Sequence, residues 1–143
     1  MALLPIEDEA QLLAMPAADY MNEAQLAFFQ RRLERERETL ATALAETRAI
    51  IVDSRGDGDD ADLAANEETL SLLLRQADRE TRLLRKIAAA LKRIESGDYG
   101  FCDETGQPIG LKRLLLRPTA TLCLEAKERQ EQREHHYAKR RSA

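Results

Sequence analysis

Apolar residues at Leu70, Leu73, Ala77, Leu84, Ile87, Leu91 and Ile94 recur at alternating intervals of three and four, with Glu80 the only interruption. This spacing keeps one stripe of side chains turned toward a partner helix, so it predicts the seam of a packed helix pair. An earlier stretch carries Leu26, Phe29, Leu33, Leu40, Leu44 and Ile51, a less regular stripe on one helical face. Charges such as Arg35, Glu36, Arg37, Glu38, Arg79, Glu80 and Arg82 mostly fill the remaining positions, as on a solvated helix surface. Asn22 with Glu23 and Gln25 supplies an N-cap and capping box for the first helix, and Gly97 supplies a stop for the second. Each helix then has about thirty residues, which at ~1.5 Å rise per residue gives an arm on the order of 45 Å long.

The turn between the helices, roughly 53–62, is too rich in Gly and Asp to be helical throughout. It holds the acidic run Asp57-Gly58-Asp59-Asp60-Ala61-Asp62-Leu63-Ala64. A cluster of carboxylates at the turn of a stiff hairpin is negative charge held at a distance, which suits a device that reaches into something. The fold class expected is mainly α: a long antiparallel coiled-coil hairpin projecting from a small zinc-finger-like globular domain, plus a C-terminal helix. Four segments follow. Residues 1–21 form an acidic, flexible lead with Pro5 and Pro16 that belongs to the globular part, and residues 22–97 form the hairpin with its acidic tip at about 53–64. Residues 98–122 form a loop-rich block with Gly100, Gly106, Gly110, Pro108 and Pro118, and residues 123–143 form a final charged helix.

Composition narrows the function classes. There are 22 basic and 26 acidic residues, and the net charge of -4 argues against general affinity for naked nucleic acid and against direct sequence-specific DNA binding. A protein partner is expected instead. No run of about 18 apolar residues exists to span a membrane, and Glu7, Asp8 and Glu9 make the first residues acidic where a secretion signal would be basic. Two cysteines without such a signal imply a reducing, cytoplasmic setting. Intramolecular pairing of the two helices across a short turn, favoured by effective concentration, predicts a monomer.

Candidate metal chemistry is incomplete. Cys102-x2-Thr105 followed by Cys123-x2-Ala126 has the layout of a four-cysteine zinc site in which the second member of each pair has been replaced. A threonine hydroxyl and an alanine methyl cannot substitute for thiolates, and His135 and His136 lie too far along the last helix to complete the shell. Cys102 and Cys123 are then expected as small buried apolar residues, and the reducing compartment disfavours a disulfide between them. Without metal, the block is expected to fold by packing of Ile109, Leu111, Leu114, Leu116 and Leu122. Asp57, Asp59 and Glu68 match positions 1, 3 and 12 of a calcium loop, but Ala61 at position 5 and Asp62 at the glycine position break that pattern. Acidic residues in a solvated turn are otherwise common.

The chain resembles the DksA/TraR family of bacterial transcription factors over nearly its whole length. The resemblance rests on Asp59-Asp60-Ala61-Asp62-Leu63-Ala64, Asp78-Arg79-Glu80 with Lys86-Ile87, residues Gly97 to Cys102, Ile109-Gly110-Leu111-Lys112-Arg113-Leu114, and Arg117-Pro118-Thr119-Ala120, whose order and mutual spacing agree as well as their identity. The half-emptied cysteine quartet departs from the family pattern and resembles its zinc-independent paralogues, with no bound metal.

The resemblance implies a regulator, not an enzyme, that binds RNA polymerase at its secondary channel. With (p)ppGpp as effector it would modulate open-complex stability in the stringent response, repressing rRNA promoters and activating amino-acid biosynthesis promoters. Asp59, Asp62 and Ala64 would act from the tip near the active centre, and Arg79 would contact the channel rim. Leu83, Lys86, Arg117 and Lys127 would form a (p)ppGpp site at the polymerase interface. Three cations from separate parts of the chain suit a polyphosphate clamp, although each by itself equally suits a solvated surface. The alternative is a tip that recruits a metal ion and makes the protein a transcript-cleavage cofactor of RNA polymerase.

Overall fold

The computed structural model describes residues 4–54 and 60–142, with the side chains of 60–65 and 142 excepted. Its elements are the short helix α1 (Glu9–Leu13), a 3-10 turn at Ala17–Asp19, the long helices α2 (Glu23–Ser54) and α3 (Asp60–Ser96), the short α4 (Leu111–Leu116) and α5 (Leu124–Ser142). No strand occurs among the described residues; an isolated antiparallel bridge joins Phe101 and Pro108. The mainly helical fold with a hairpin of two long helices is therefore the one expected.

The ends of the long helices follow from local chemistry. Asn22 Oδ1 accepts the Gln25 backbone N–H at 2.9 Å, satisfying a donor that the helix start leaves unpaired, and Gln25 Oε1 reaches back past the cap to accept the Met21 N–H at 2.9 Å. At the other end Gly97 takes φ 86, a left-handed conformation that costs glycine nothing. The N–H of Asp98 then reaches the Arg93 carbonyl at 3.0 Å and the N–H of Gly97 reaches that of Ile94 at 3.4 Å, the paired bonds of a Schellman stop.

The chain divides into two compact units, Arg32–Ala89 and the combination of Met1–Arg31 with Ala90–Ala143. In the first unit α2 and α3 pair antiparallel. Leu33, Leu44, Thr47 and Ile51 are buried on α2, and Glu80 and Ile87 on α3, with Leu70, Leu73, Ala77 and Leu84 half-buried along the same seam. The apolar residues on this seam gain the transfer free energy of leaving water, which is what holds isolated helices of this kind together.

The second unit has its own core. Phe29 is fully buried and lies 5.3 Å from Phe28 and 5.6 Å from Tyr99, ring centre to ring centre, with Ile6, Leu12, Ile109, Leu114 and Leu115 also buried. Residues 4–21, expected as a lead segment belonging to the globular part, contribute to this core through the short helix α1. Asp8 caps α1 by accepting the Gln11 N–H at 2.7 Å, Leu12 is 0% exposed, α1 packs on α4, and Arg31 donates to the Ile6 carbonyl at 2.8 Å. Five helical residues are too few to show a periodic stripe, so burial of Leu12 could not be anticipated.

The apolar packing expected in the loop-rich block also changes in detail. Ile109 and Leu114 are buried, and Leu111 and Leu122 are half-buried, but Leu116 is 89% exposed and Leu115 takes the core position. In a helix of six residues with three successive leucines, the face turned inward is set by what lies beside it.

Candidate functional site

Among the residues expected at the tip, Asp59 lies outside the described residues, as do the side chains of Asp62 and Ala64. Residues 62 and 64 fall in the first turns of α3.

Farther along α3, Arg79, Leu83 and Lys86 are separated by four and then three positions, so they share one face. All three are exposed, Leu83 by 40%, and they stand beside the seam instead of in it. Neither Arg79 nor Lys86 has an ion-pair partner among the described residues, whereas the neighbouring Arg82 is taken up by Asp78 at 2.8 Å. A hydrophobic side chain flanked by two uncommitted cations is a surface ready for an anionic or mixed partner.

Arg117 and Lys127 belong to the other compact unit, where both line a groove of about 1190 Å³. Arg117 is exposed just after α4; Lys127 on α5 is half-buried, and its Nζ donates to Gln130 Oε1 at 3.3 Å. Arg113, also lining the groove, spends its Nε on the Leu122 carbonyl at 3.0 Å and thereby ties α4 to the chain entering α5. The groove floor includes Leu13, Ile109 and the exposed Leu116 and Leu124. Leu83 and Lys86, expected at the same (p)ppGpp site, lie in the unit of the paired helices.

The degenerate cysteine quartet is built on a tight knuckle. The Cys102 N–H donates to the Gln107 carbonyl and the Gly106 N–H to the Cys102 carbonyl, both at 2.8 Å. Cys102 is 3% exposed, Cys123 is half-buried, and both are free thiols. Burial pushes the Cys102 thiol up, but the Thr105 hydroxyl and the backbone N–H groups of Cys123, Thr105 and Glu104 together outweigh it and bring the thiol down to about 6. The donors favour a thiolate, yet the set does not fit a zinc ion. Thr105 Oγ1 stands 4.0 Å from Cys123 Sγ in a weak hydrogen bond, and Ala126 is fully buried with only a methyl to offer. Among the described residues, no three His, Cys, Asp or Glu side chains converge as metal ligands, and His135 and His136 are exposed on α5.

Three residues that the pattern of the chain did not single out hold this region in shape. Arg93 at the end of α3 donates to the Phe101 carbonyl at 2.8 Å and to that of Asp98 at 3.2 Å, and pairs with Asp103. Tyr20 Oη donates to the Gly100 carbonyl at 2.6 Å and accepts the Gly110 N–H at 2.9 Å; burial raises its pKa. Tyr99 Oη donates to the Pro118 carbonyl. The available signal was the scarcity of aromatic residues, since the chain has three tyrosines and two of them are used this way.

Comparison with known proteins agrees with this architecture. The family model "DnaK suppressor protein DksA, N-terminal domain" matches residues 25–94, and "Prokaryotic dksA/traR C4-type zinc finger" matches residues 97–132. The RNA polymerase-binding transcription factor DksA of Caulobacter vibrioides is 44% identical over 116 residues, 80% of this chain and 82% of that protein. The factor of the same name from Escherichia coli K12 is 44% identical over 124 residues, 86% of this chain and 82% of that one. The solved structure of transcription factor DksA2 from Pseudomonas aeruginosa superposes with a TM-score of 0.84 at 53% identity, covering 90% of this chain and all of that one. With both family models and relatives at this identity spanning most of its length, the chain belongs to the DksA/TraR family.

Proposed function

We propose that this protein is a non-enzymatic transcription regulator that binds RNA polymerase in its secondary channel and, with (p)ppGpp, alters the stability of promoter open complexes without needing zinc. The observation that carries the reading is the paired α2–α3 hairpin with its exposed stripe of Arg79, Leu83 and Lys86, in a chain 44% identical to proteins named for RNA polymerase binding.

In this reading Asp59, Asp62 and Ala64 act from the turn. Carboxylates brought close to basic groups or to a metal-bound triphosphate inside an enzyme act at low dielectric, where each interaction is several-fold stronger than in water. Arg79 contacts the channel rim. Leu83 and Lys86 from the hairpin, with Arg117 and Lys127 from the other unit, contribute to a (p)ppGpp site completed by polymerase; charge-assisted contacts to a tetra- or pentaphosphate require several cations. Repression of rRNA promoters and activation of amino-acid biosynthesis promoters follow from the same change in open-complex lifetime. The donor chemistry of Cys102, Thr105, Cys123 and Ala126 supports independence from zinc.

The test is capture of core RNA polymerase by the full chain, with and without (p)ppGpp, together with open-complex lifetimes. Binding is expected for the wild type and for Asp62→Asn, with the effect on lifetime lost in the variant. Failure to bind polymerase would overturn the reading, and unchanged regulation by Asp62→Asn would remove the tip from the mechanism. Shortened RNA in arrested complexes on adding protein and magnesium would instead support the transcript-cleavage alternative.

A further inference from the structure

The seam between α2 and α3 contains a buried polar layer, and among the described residues it is incompletely satisfied. Thr47 is 3% exposed and Glu80 is 6% exposed, both at positions where the 3,4 spacing places a side chain in the seam: Leu40, Leu44, Thr47 and Ile51 on α2, and Leu73, Ala77, Glu80, Leu84 and Ile87 on α3. Thr47 Oγ1 lies 3.2 Å from Glu80 Oε1 and 2.9 Å from the Ala43 carbonyl, so its single proton is shared between two acceptors. Gln76 Nε2 donates to the same hydroxyl at 3.3 Å. Glu80 Oε2 is buried and has no hydrogen-bond partner among the described residues.

Leucines at both positions would pack against their neighbours and leave no buried carboxylate to satisfy, so the layer is not there to maximise stability. What it does provide is a unique alignment. In an antiparallel pair, sliding one helix by a heptad moves Glu80 from Thr47 to Leu40 or to Ser54, and moves Thr47 opposite Leu73 or Ile87. Either slide leaves at least one polar group facing a purely apolar one, whereas the leucine and isoleucine positions around it are interchangeable in both size and chemistry. Such a layer acts as a single buried polar residue does in a coiled coil, selecting one register at a cost in stability.

We propose that Glu80, through Thr47 and Gln76, is a positioning residue that locks the register of α2 on α3 and so sets where Ser54 and Asp60 stand relative to each other. Its consequence for transcription rests on the polymerase reading given above; the register itself does not.

The experiment measures register in the free, full-length protein. Ketone-bearing amino acids at the exposed positions Ala49 and Ala89, which the register offsets along the axis so that a slide in either direction changes their separation, accept spin labels without touching Cys102 or Cys123, and double electron–electron resonance reads the distance between them. The wild type and Glu80→Gln, which keeps a hydrogen-bonding side chain, should each give one narrow distance. Glu80→Leu should keep or raise the Tm while adding a second population at a resolved distance, as a heptad slide of ~10 Å along the axis, about two helical turns, requires. Thr47→Val should show the same second population and decides the matter if Glu80→Leu aggregates. An unshifted single distance in these apolar variants, whatever their Tm, assigns the layer a packing role only and overturns the proposal. Because no polymerase is present, failure here is distinct from failure of the polymerase reading.

Discussion

The hydroxyl of Tyr99, a side chain 1% exposed just beyond α3, donates to the carbonyl of Pro118, just beyond α4, at 2.8 Å. Those residues are 19 positions apart, and their bond closes the loop-rich block over its own core. Tyr99→Phe keeps the ring against Phe29 but strands a buried carbonyl, which costs ~1–3 kcal/mol. Thermal unfolding should show a Tm lower by several degrees; an unchanged Tm would mean that solvent reaches Pro118.

If that block is held by packing and hydrogen bonds, its stability should not respond to chelators, and the wild-type Tm should be the same with and without EDTA. Thr105→Cys combined with Ala126→Cys should create a four-thiolate site on the existing knuckle. The double variant is expected to bind one zinc per chain and to acquire a Tm that falls when EDTA is added. A chelator-sensitive wild type would contradict the reading of the quartet.

Cys102 supplies a pH test. Its folded value, about 6, lies below the ordinary 9.0, so the thiolate's contribution to stability is fully present above about 9 and is lost as pH falls through about 6. The Tm difference between wild type and Cys102→Ala should therefore narrow as pH is lowered across that window. The ultraviolet absorbance of the thiolate should titrate with a midpoint near the lower value. A difference independent of pH would show that the sulfur stays a neutral thiol.

Arg117 and Lys127 face one groove and are expected to contribute to effector response without being needed for polymerase binding. Arg117→Ala and Lys127→Ala should each weaken (p)ppGpp amplification of the transcriptional effect by about tenfold, as loss of one charge-assisted contact at ~1.5 kcal/mol implies. Titrating (p)ppGpp at fixed protein and polymerase measures this. Equal loss of activity without (p)ppGpp would point to a structural defect instead.

The helix start at Asn22 is a more local matter. Asn22→Ala removes the acceptor for the Gln25 N–H and should cost ~1 kcal/mol. Chemical denaturation with an unchanged slope and a lower midpoint would show it.

The long helices were legible because their information is local and repeated. Leu70, Leu73, Ala77, Leu84 and Ile87 mark a face by spacing alone, and Asn22 and Gly97 mark ends through groups only a few residues away. The half-emptied quartet was equally plain, since ligand identity is a matter of residue type. The rest depended on groups distant in sequence. Whether Leu115 or Leu116 turns inward, why Leu12 is buried in a five-residue helix, and how Tyr20 bridges Gly100 and Gly110 were decided by neighbours that no window along the chain contains. Glu80 shows both sides at once. Periodicity marked it as an interruption in an apolar seam, but only the packing of α3 on α2 brought Thr47 to it and left one oxygen without a partner among the described residues, because hydrogen bonding across a seam depends on which residues the fold sets opposite each other.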